Sequence, residues 1–161
     1  MDNESKKSFI RKIMPDVITI EKEFSIIPII AITQSALESR YGDSKLTLMA
    51  NNLLGFTGDS WKAAGKRIYE IETKEFINKE WIVTKRPFRF YETWLDSLRD
   101  WASNIANKKR YAEAYKWAQA GDVPAFGIAV WQGGYATDPD YPGKIARFGE
   151  DIKTLMRDMV L

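Results

Sequence analysis

Apolar residues return at helical intervals near the start of the chain, where Phe9, Ile10, Ile13, Val17, Ile20 and Phe24 fall on one side at about 100° per residue. Pro15 interrupts that stripe and predicts two short pieces, because proline removes a backbone donor. Residues 1–8 are polar and are expected to be disordered. A second helix is predicted over Pro28 to Gly42: proline suits a first helical position, and glycine suits a left-handed helix end. Ile29, Ile30, Ile32, Thr33, Ala36 and Leu37 share one broad arc of it, and Ala31, Gln34, Ser35 and Glu38 occupy the remaining flank.

Residues 43–56 interleave turn formers with apolar anchors and read as an ordered loop with one helical turn. Residues 58–65 read as a loop. The β-branched and aromatic enrichment of Ile68 to Ile77 and Trp81 to Tyr91 predicts two strands paired about Asn78-Lys79, although Lys79 stands where a tight turn prefers glycine. In strict alternation Tyr69, Ile71, Thr73, Glu75 and Ile77 share one face, and Glu70, Glu72 and Lys74 the other. Thr93 with Asp96 opens a helix carrying Trp94, Leu95, Leu98, Trp101, Ala102 and Ile105. Tyr111 to Ala120 forms another helix, closed by Gly121. Asp122 caps the next, which ends at Gly133-Gly134. A proline-punctuated loop over 135–142 precedes a closing amphipathic helix with Ile145, Phe148, Ile152, Leu155, Met156 and Met159. The fold class is α+β, mostly α: one domain over residues 1–161, with a hairpin lobe at 66–91.

A chain of 161 residues is long enough to bury a core without disulfides or a structural metal. It has no Cys and no His. Thiolate nucleophiles, Ser-His-Asp systems, the usual zinc sites and imidazole acid/base catalysis are thereby excluded, which makes carboxylates the leading candidates for proton transfer in any enzyme. A net charge of +2 and a pI near 8.7 are too mild for a nucleic-acid partner but suit work near anionic polymers such as cell walls. No stretch approaches the ~20 apolar residues of a membrane span, so no membrane insertion is expected. Residues 1–12 are charged and lack the apolar run of a secretion signal. Six Trp, seven Tyr and eight Phe serve both a core and sugar-stacking surfaces.

Glu38 is the acid singled out by position. Short side chains beside it leave space for an approaching group, and the apolar body of its helix raises its pKa. A solvated Glu on the outer stripe of an amphipathic helix fits the same local pattern.

Four stretches taken together decide between these readings: Ala-Leu-Glu-Ser-Arg-Tyr-Gly (36–42), Asn-Asn-Leu-Leu-Gly-Phe (51–56), Phe-Arg-Phe-Tyr (88–91) and Gly-Tyr-Ala-Thr-Asp-Pro (134–139). In this order and spacing they resemble the glucosaminidase domains of glycoside hydrolase family 73, found in flagellar muramidases, autolysins and phage lysins. The resemblance runs from about residue 27 to the C-terminus. It implies a lysozyme-like fold, with a helical lobe, a small β-hairpin lobe and a cleft between them. It makes Glu38 the general acid. Thr73-Lys74-Glu75-Phe76 matches a stretch that supplies a second acid in many members, so Glu75 is that candidate and Glu72 its fallback among four hairpin glutamates. Tyr135 matches a tyrosine beside the acid. Asn51, Asn52, Phe56 and Tyr91 are candidate sugar contacts, with Asn51 and Asn52 equally able to hold their loop. Trp61 and Phe88 line the cleft or join the core, and Asp138 before Pro139 reads as a turn former.

The implied activity is cleavage of the β-1,4 bond on the reducing side of N-acetylglucosamine in peptidoglycan. That reaction needs two carboxylates about 5 to 10 Å apart, or one with help from the substrate's own acetamido group. No cofactor and no metal are expected, and the partner is a peptidoglycan strand met by a monomer. With no signal peptide, the expected setting is a phage endolysin released by a holin, or a virion enzyme. The alternatives are a lysozyme-like muramidase or lytic transglycosylase and, from another class, a non-catalytic wall-binding or structural module.

Overall fold

The computed structural model describes residues 1–159, apart from the side chain of Glu75. Asp2 accepts a hydrogen bond from Ser5 N at 2.8 Å and starts helix α1 (Asn3–Phe24). Residues 3–8, expected to be disordered, are therefore helical. The cap satisfies a free donor of the first turn, and Lys6 pairs with Asp151 across the fold at 2.9 Å. Pro15 does not split the helix. Ile10, Ile13, Val17 and Ile20 are fully buried on both sides of it. Burial of such side chains is worth about 1.5–3 kcal/mol each, which outweighs one missing hydrogen bond.

Helix α2 (Pro28–Ser39) begins with Pro28 as predicted and ends earlier than Gly42. Arg40, Tyr41 and Gly42 all take left-handed conformations, with φ of 50°, 54° and 80°. Ser39 holds that run: its Oγ accepts from Gly42 N at 2.8 Å, and its carbonyl accepts from Ser44 N. A side chain at position 42 would also press on Phe9 and Trp94.

Short helix α3 (Lys45–Ala50) is the helical turn expected within 43–56, and α4 (Asp59–Ala63) occupies a stretch read as a loop. Ser44 caps the first through Thr47 N. Strands β1 (Ile68–Ile77) and β2 (Glu80–Arg89) pair antiparallel in unbroken register from Ile68 opposite Arg89 to Ile77 opposite Glu80. The two-residue turn puts Asn78 and Lys79 at positive φ, as a type I′ connection requires. Tyr69, Ile71 and Thr73 are half-buried, while Glu70, Glu72 and Lys74 are exposed, so the expected alternation holds for these residues. A single bridge, Thr57 to Phe88, ties the preceding loop to the hairpin base.

Helices α5 (Trp94–Asn107), α6 (Ala112–Ala120), α7 (Val123–Gln132) and α8 (Tyr141–Arg157) complete the chain, with a 3-10 turn over Lys109–Tyr111. Thr93, Gly121 and Asp122 act as the caps the sequence indicates. One hydrophobic cluster draws on α1, α2 and α5 to α8, and no described side chain of β1 or β2 is fully buried. The architecture is thus a helical body with an arm of two strands. Among the described residues no helix is long and apolar enough to cross a membrane.

Candidate active site

Helix α2 runs through the middle of the body, so its flank of Ala31, Gln34 and Ser35 is buried rather than open. The expected space beside Glu38 exists only at the C-terminal end of the helix, because α8 covers the rest. Glu38 is half-buried there. Burial raises its pKa above the ordinary glutamate value, and a hydrogen bond from Tyr141 pulls it partly back.

That hydrogen bond ends a chain whose direction is set by its first donor. Trp101 Nε1–H donates to Gln34 Oε1 at 2.6 Å, Gln34 Nε2 donates to Tyr141 OH at 2.9 Å, and Tyr141 OH donates to Glu38 Oε1 at 2.7 Å. An indole N–H can only donate, so the Gln34 carbonyl must face it and its amide must face Tyr141. The tyrosine hydroxyl, already accepting from Gln34, has its own hydrogen left for Glu38. Oε1 of the acid is consequently an acceptor, and a proton on this carboxyl belongs on Oε2. Burial, and then the nearby Glu38 carboxyl, push the Tyr141 hydroxyl well above its usual range, so it stays protonated.

Glu38 lies in the wall of a recess of about 330 Å³. Leu54, Phe56 and Thr57 form one side, and Tyr111, Tyr135 and Ala136 the other. Gly134, at φ of 89°, makes the turn that presents Tyr135. The rings of Tyr111, Tyr135 and Tyr141 follow one another at centroid distances of 6.0 and 6.1 Å. The Tyr135 hydroxyl is buried without a hydrogen-bond partner in the protein, as are Thr33 Oγ1 and Ser35 Oγ on α2. Its pKa is raised by burial and by the Glu38 charge.

The structure brings Glu38, Tyr135 and Phe56 together, and sends other candidates elsewhere. Asn52 is buried and fully engaged: its amide donates to Phe56 O and Arg89 O, and its Oδ1 accepts from Phe56 N. Asn51, in a left-handed conformation after α3, donates to Tyr91 O and Glu92 O. Both hold the loop to β2, the second of the two roles their sequence allows; Asn52 has both ends of its amide engaged, and Asn51 uses its amide nitrogen. Tyr91 is buried against Trp61, with its hydroxyl on Asp100, so it packs rather than lines the recess. Phe88 bridges to Thr57. Asp138 is the expected turn former, accepting from Asp140 N and pairing with Lys144. Glu72 is exposed on β1. Glu75 stands in β1 opposite Ile82, and its side chain lies outside the described residues.

Sequence reading missed Tyr141, Gln34, Tyr111 and Arg110. A tyrosine six residues after Tyr135, at the start of a helix in the same loop, was the available signal for the first. Gln34 stands one turn before Glu38 on the flank the sequence already shows; nothing local announces Tyr111 or Arg110.

The glucosaminidase family model, described as mannosyl-glycoprotein endo-beta-N-acetylglucosaminidase, matches residues 14–154. The chain belongs to this family, glycoside hydrolase family 73. As a family 73 domain it is 31% identical over 152 residues to the exo-glucosaminidase LytG of Bacillus subtilis, covering 91% of this chain and 51% of that protein. It is 32% identical over 149 residues to a probable N-acetylmuramidase of Lactococcus lactis, covering 89% and 33%. The chain thus spans about half the length of the first relative and a third of the second. Among solved structures it matches a C-terminally truncated glycoside hydrolase domain of Salmonella typhimurium FlgJ with a TM-score of 0.76 and 26% identity, over 92% of this chain and 98% of that one. The lysozyme-like plan of helical body and small β-lobe is the one these family 73 domains share.

Proposed function

We propose that this domain hydrolyses peptidoglycan at the β-1,4 bond on the reducing side of N-acetylglucosamine, with Glu38 as the general acid. The observation that carries this reading is a half-buried carboxyl of raised pKa, opening on a recess and tied by Tyr141 through one oxygen alone. Such a group holds its proton to higher pH than an ordinary glutamate does and offers it from the other oxygen to a leaving glycosidic oxygen.

Loss of the leaving group creates positive charge at the anomeric carbon. A carboxylate of the hairpin answers it, Glu75 first and Glu72 as the alternative, either by activating water or by orienting the substrate's acetamido group. Tyr135, whose hydroxyl has no partner in the chain, supplies a donor for that acetamido oxygen. The place of action is the bacterial cell wall, as for the family. A muramidase is the second reading, favoured by the name of the Lactococcus relative.

Mass spectrometry of a muropeptide digest separates the two. Reducing-end N-acetylglucosamine is the expected product, whereas reducing N-acetylmuramic acid establishes the muramidase. A wall left undigested by the unmodified domain removes the hydrolase reading altogether.

A further inference from the structure

The recess that holds Glu38 runs into a second one of about 180 Å³. Phe56, Arg110 and Tyr135 stand in the walls of both, and the second adds Arg89, Asn104 and Lys108. It is bounded by three cations and by no acid. Arg89 is already committed: it pairs with Asp100 at 2.7 Å and donates to Thr57 O at 3.1 Å. Lys108 and Arg110 make no ion pair among the described residues.

Arg110 is exposed to solvent but held in position. Its guanidinium carbon lies 4.6 Å from the centre of the Tyr111 ring, a stacked position that leaves the edge donors available. Its backbone is clamped against the next turn, where a Cβ at Gly133 would come within 2.6 Å of Arg110 O. Its Nη1 sits above Gly134, the residue before Tyr135. A pre-positioned guanidinium beside an uncommitted lysine is a carboxylate site, because the planar fork matches two carboxylate oxygens.

Sugar rings of the glycan carry no charge near neutral pH. The carboxylates of peptidoglycan lie on the peptide stems, which hang from muramic acid. In an alternating glycan, an acid addressing the bond on the reducing side of N-acetylglucosamine has a stem-bearing sugar next to it. We propose that Arg110, with Lys108, binds a stem-peptide carboxylate on the muramic acid adjoining the bond that Glu38 addresses. This makes the domain selective for strands with charged stems, and it rests on the hydrolase reading given above.

The test uses purified sacculi in two forms: native, and with the free carboxyls converted to amides by carbodiimide coupling with ammonia. Cosedimentation is measured in the Glu38→Gln background, so that binding is read without turnover. Glu38→Gln is expected to bind native walls on the order of 10-fold more tightly than amidated ones. Adding Arg110→Gln is expected to erase that preference, and adding Lys108→Gln, which leaves the Tyr111 stack intact, to reduce it. Lys22→Gln, on α1, is the control for net charge.

Equal binding to both walls overturns the proposal. So does an equal loss on both walls with Arg110→Gln, or a Lys22→Gln effect as large as that of Arg110→Gln. Rates of muropeptide release by the unmodified domain are read in parallel: absence of release removes the hydrolase reading, whereas release with no binding preference removes only the carboxylate site.

Discussion

At the scale of single residues the proposed chemistry turns on one half-buried carboxyl, Glu38. Glu38→Gln keeps the shape of the side chain and abolishes the transferable proton; wall clearing is expected to fall ~10²–10⁴-fold. The same substitution has a stability signature whose sign follows from burial. Glu38 is raised above its ordinary value of 4.5, so between pH 4.5 and its folded pKa the native state keeps a proton that the unfolded chain has released. The stability tied to this group is fully present below about pH 4.5 and is lost as pH rises through the folded value. Thermal melts should therefore show Glu38→Gln gaining on the unmodified domain as pH is raised from about 4 to 7; a constant difference would contradict the burial argument.

Tyr141→Phe removes the one hydrogen bond that lowers the Glu38 pKa. The alkaline limb of the kcat/KM profile is expected to move to higher pH, with a stability loss of ~1–3 kcal/mol from the unsatisfied Gln34 amide. Trp101→Phe frees Gln34 to turn over. It should shift the same limb in the same direction, although position 101 touches neither acid nor recess.

At the scale of elements, the site is held by helix ends and by glycines that allow close approach. Helices α7 and α8 meet where a Cβ at Gly127 would lie 2.9 Å from Ile145 Cγ2. Gly127→Ala is expected to cost ~1–3 kcal/mol, seen as a drop of a few degrees in Tm. Activity measured well below the transition should survive, since the contact lies outside the recess walls. Patterns of three to four residues announced most of these elements, and the capping chemistry of Thr93, Gly121 and Asp122 announced their ends. Pro15 misled because a local penalty was weighed without the four isoleucines and valines that bury the helix around it. The early end of α2 misled because Arg40 and Tyr41 adopt a conformation usually left to glycine, held by backbone N–H groups donating to Ser39 and Ala36. Asn51 and Asn52 looked like sugar ligands because an asparagine's partners cannot be read from its neighbours in sequence.

At the scale of the whole molecule, stability resides in the helical body, while the proposed chemistry draws on both the body and the hairpin. The helical body contains the core, and the hairpin contributes no fully buried described side chain. Replacing residues 71–86 by an Asn-Gly turn should leave Tm within a few degrees and the helical circular dichroism intact, while muropeptide release collapses if the hairpin supplies the second carboxylate proposed above. A large drop in Tm would mean that the arm supports the body. Helix periods, caps, the Asn78-Lys79 turn and the placing of one acid at the end of a buried helix were all determined by the sequence alone, because each depends on residues within a turn or two of one another. The tertiary structure decided what surrounds that acid. Gln34, Trp101 and Tyr141 meet across separations of up to 107 positions, and only their packing sets which oxygen of Glu38 holds the proton. The same is true of Arg110 beside the recess: a charge's partners are chosen by the fold, whereas a residue's period is written in the chain.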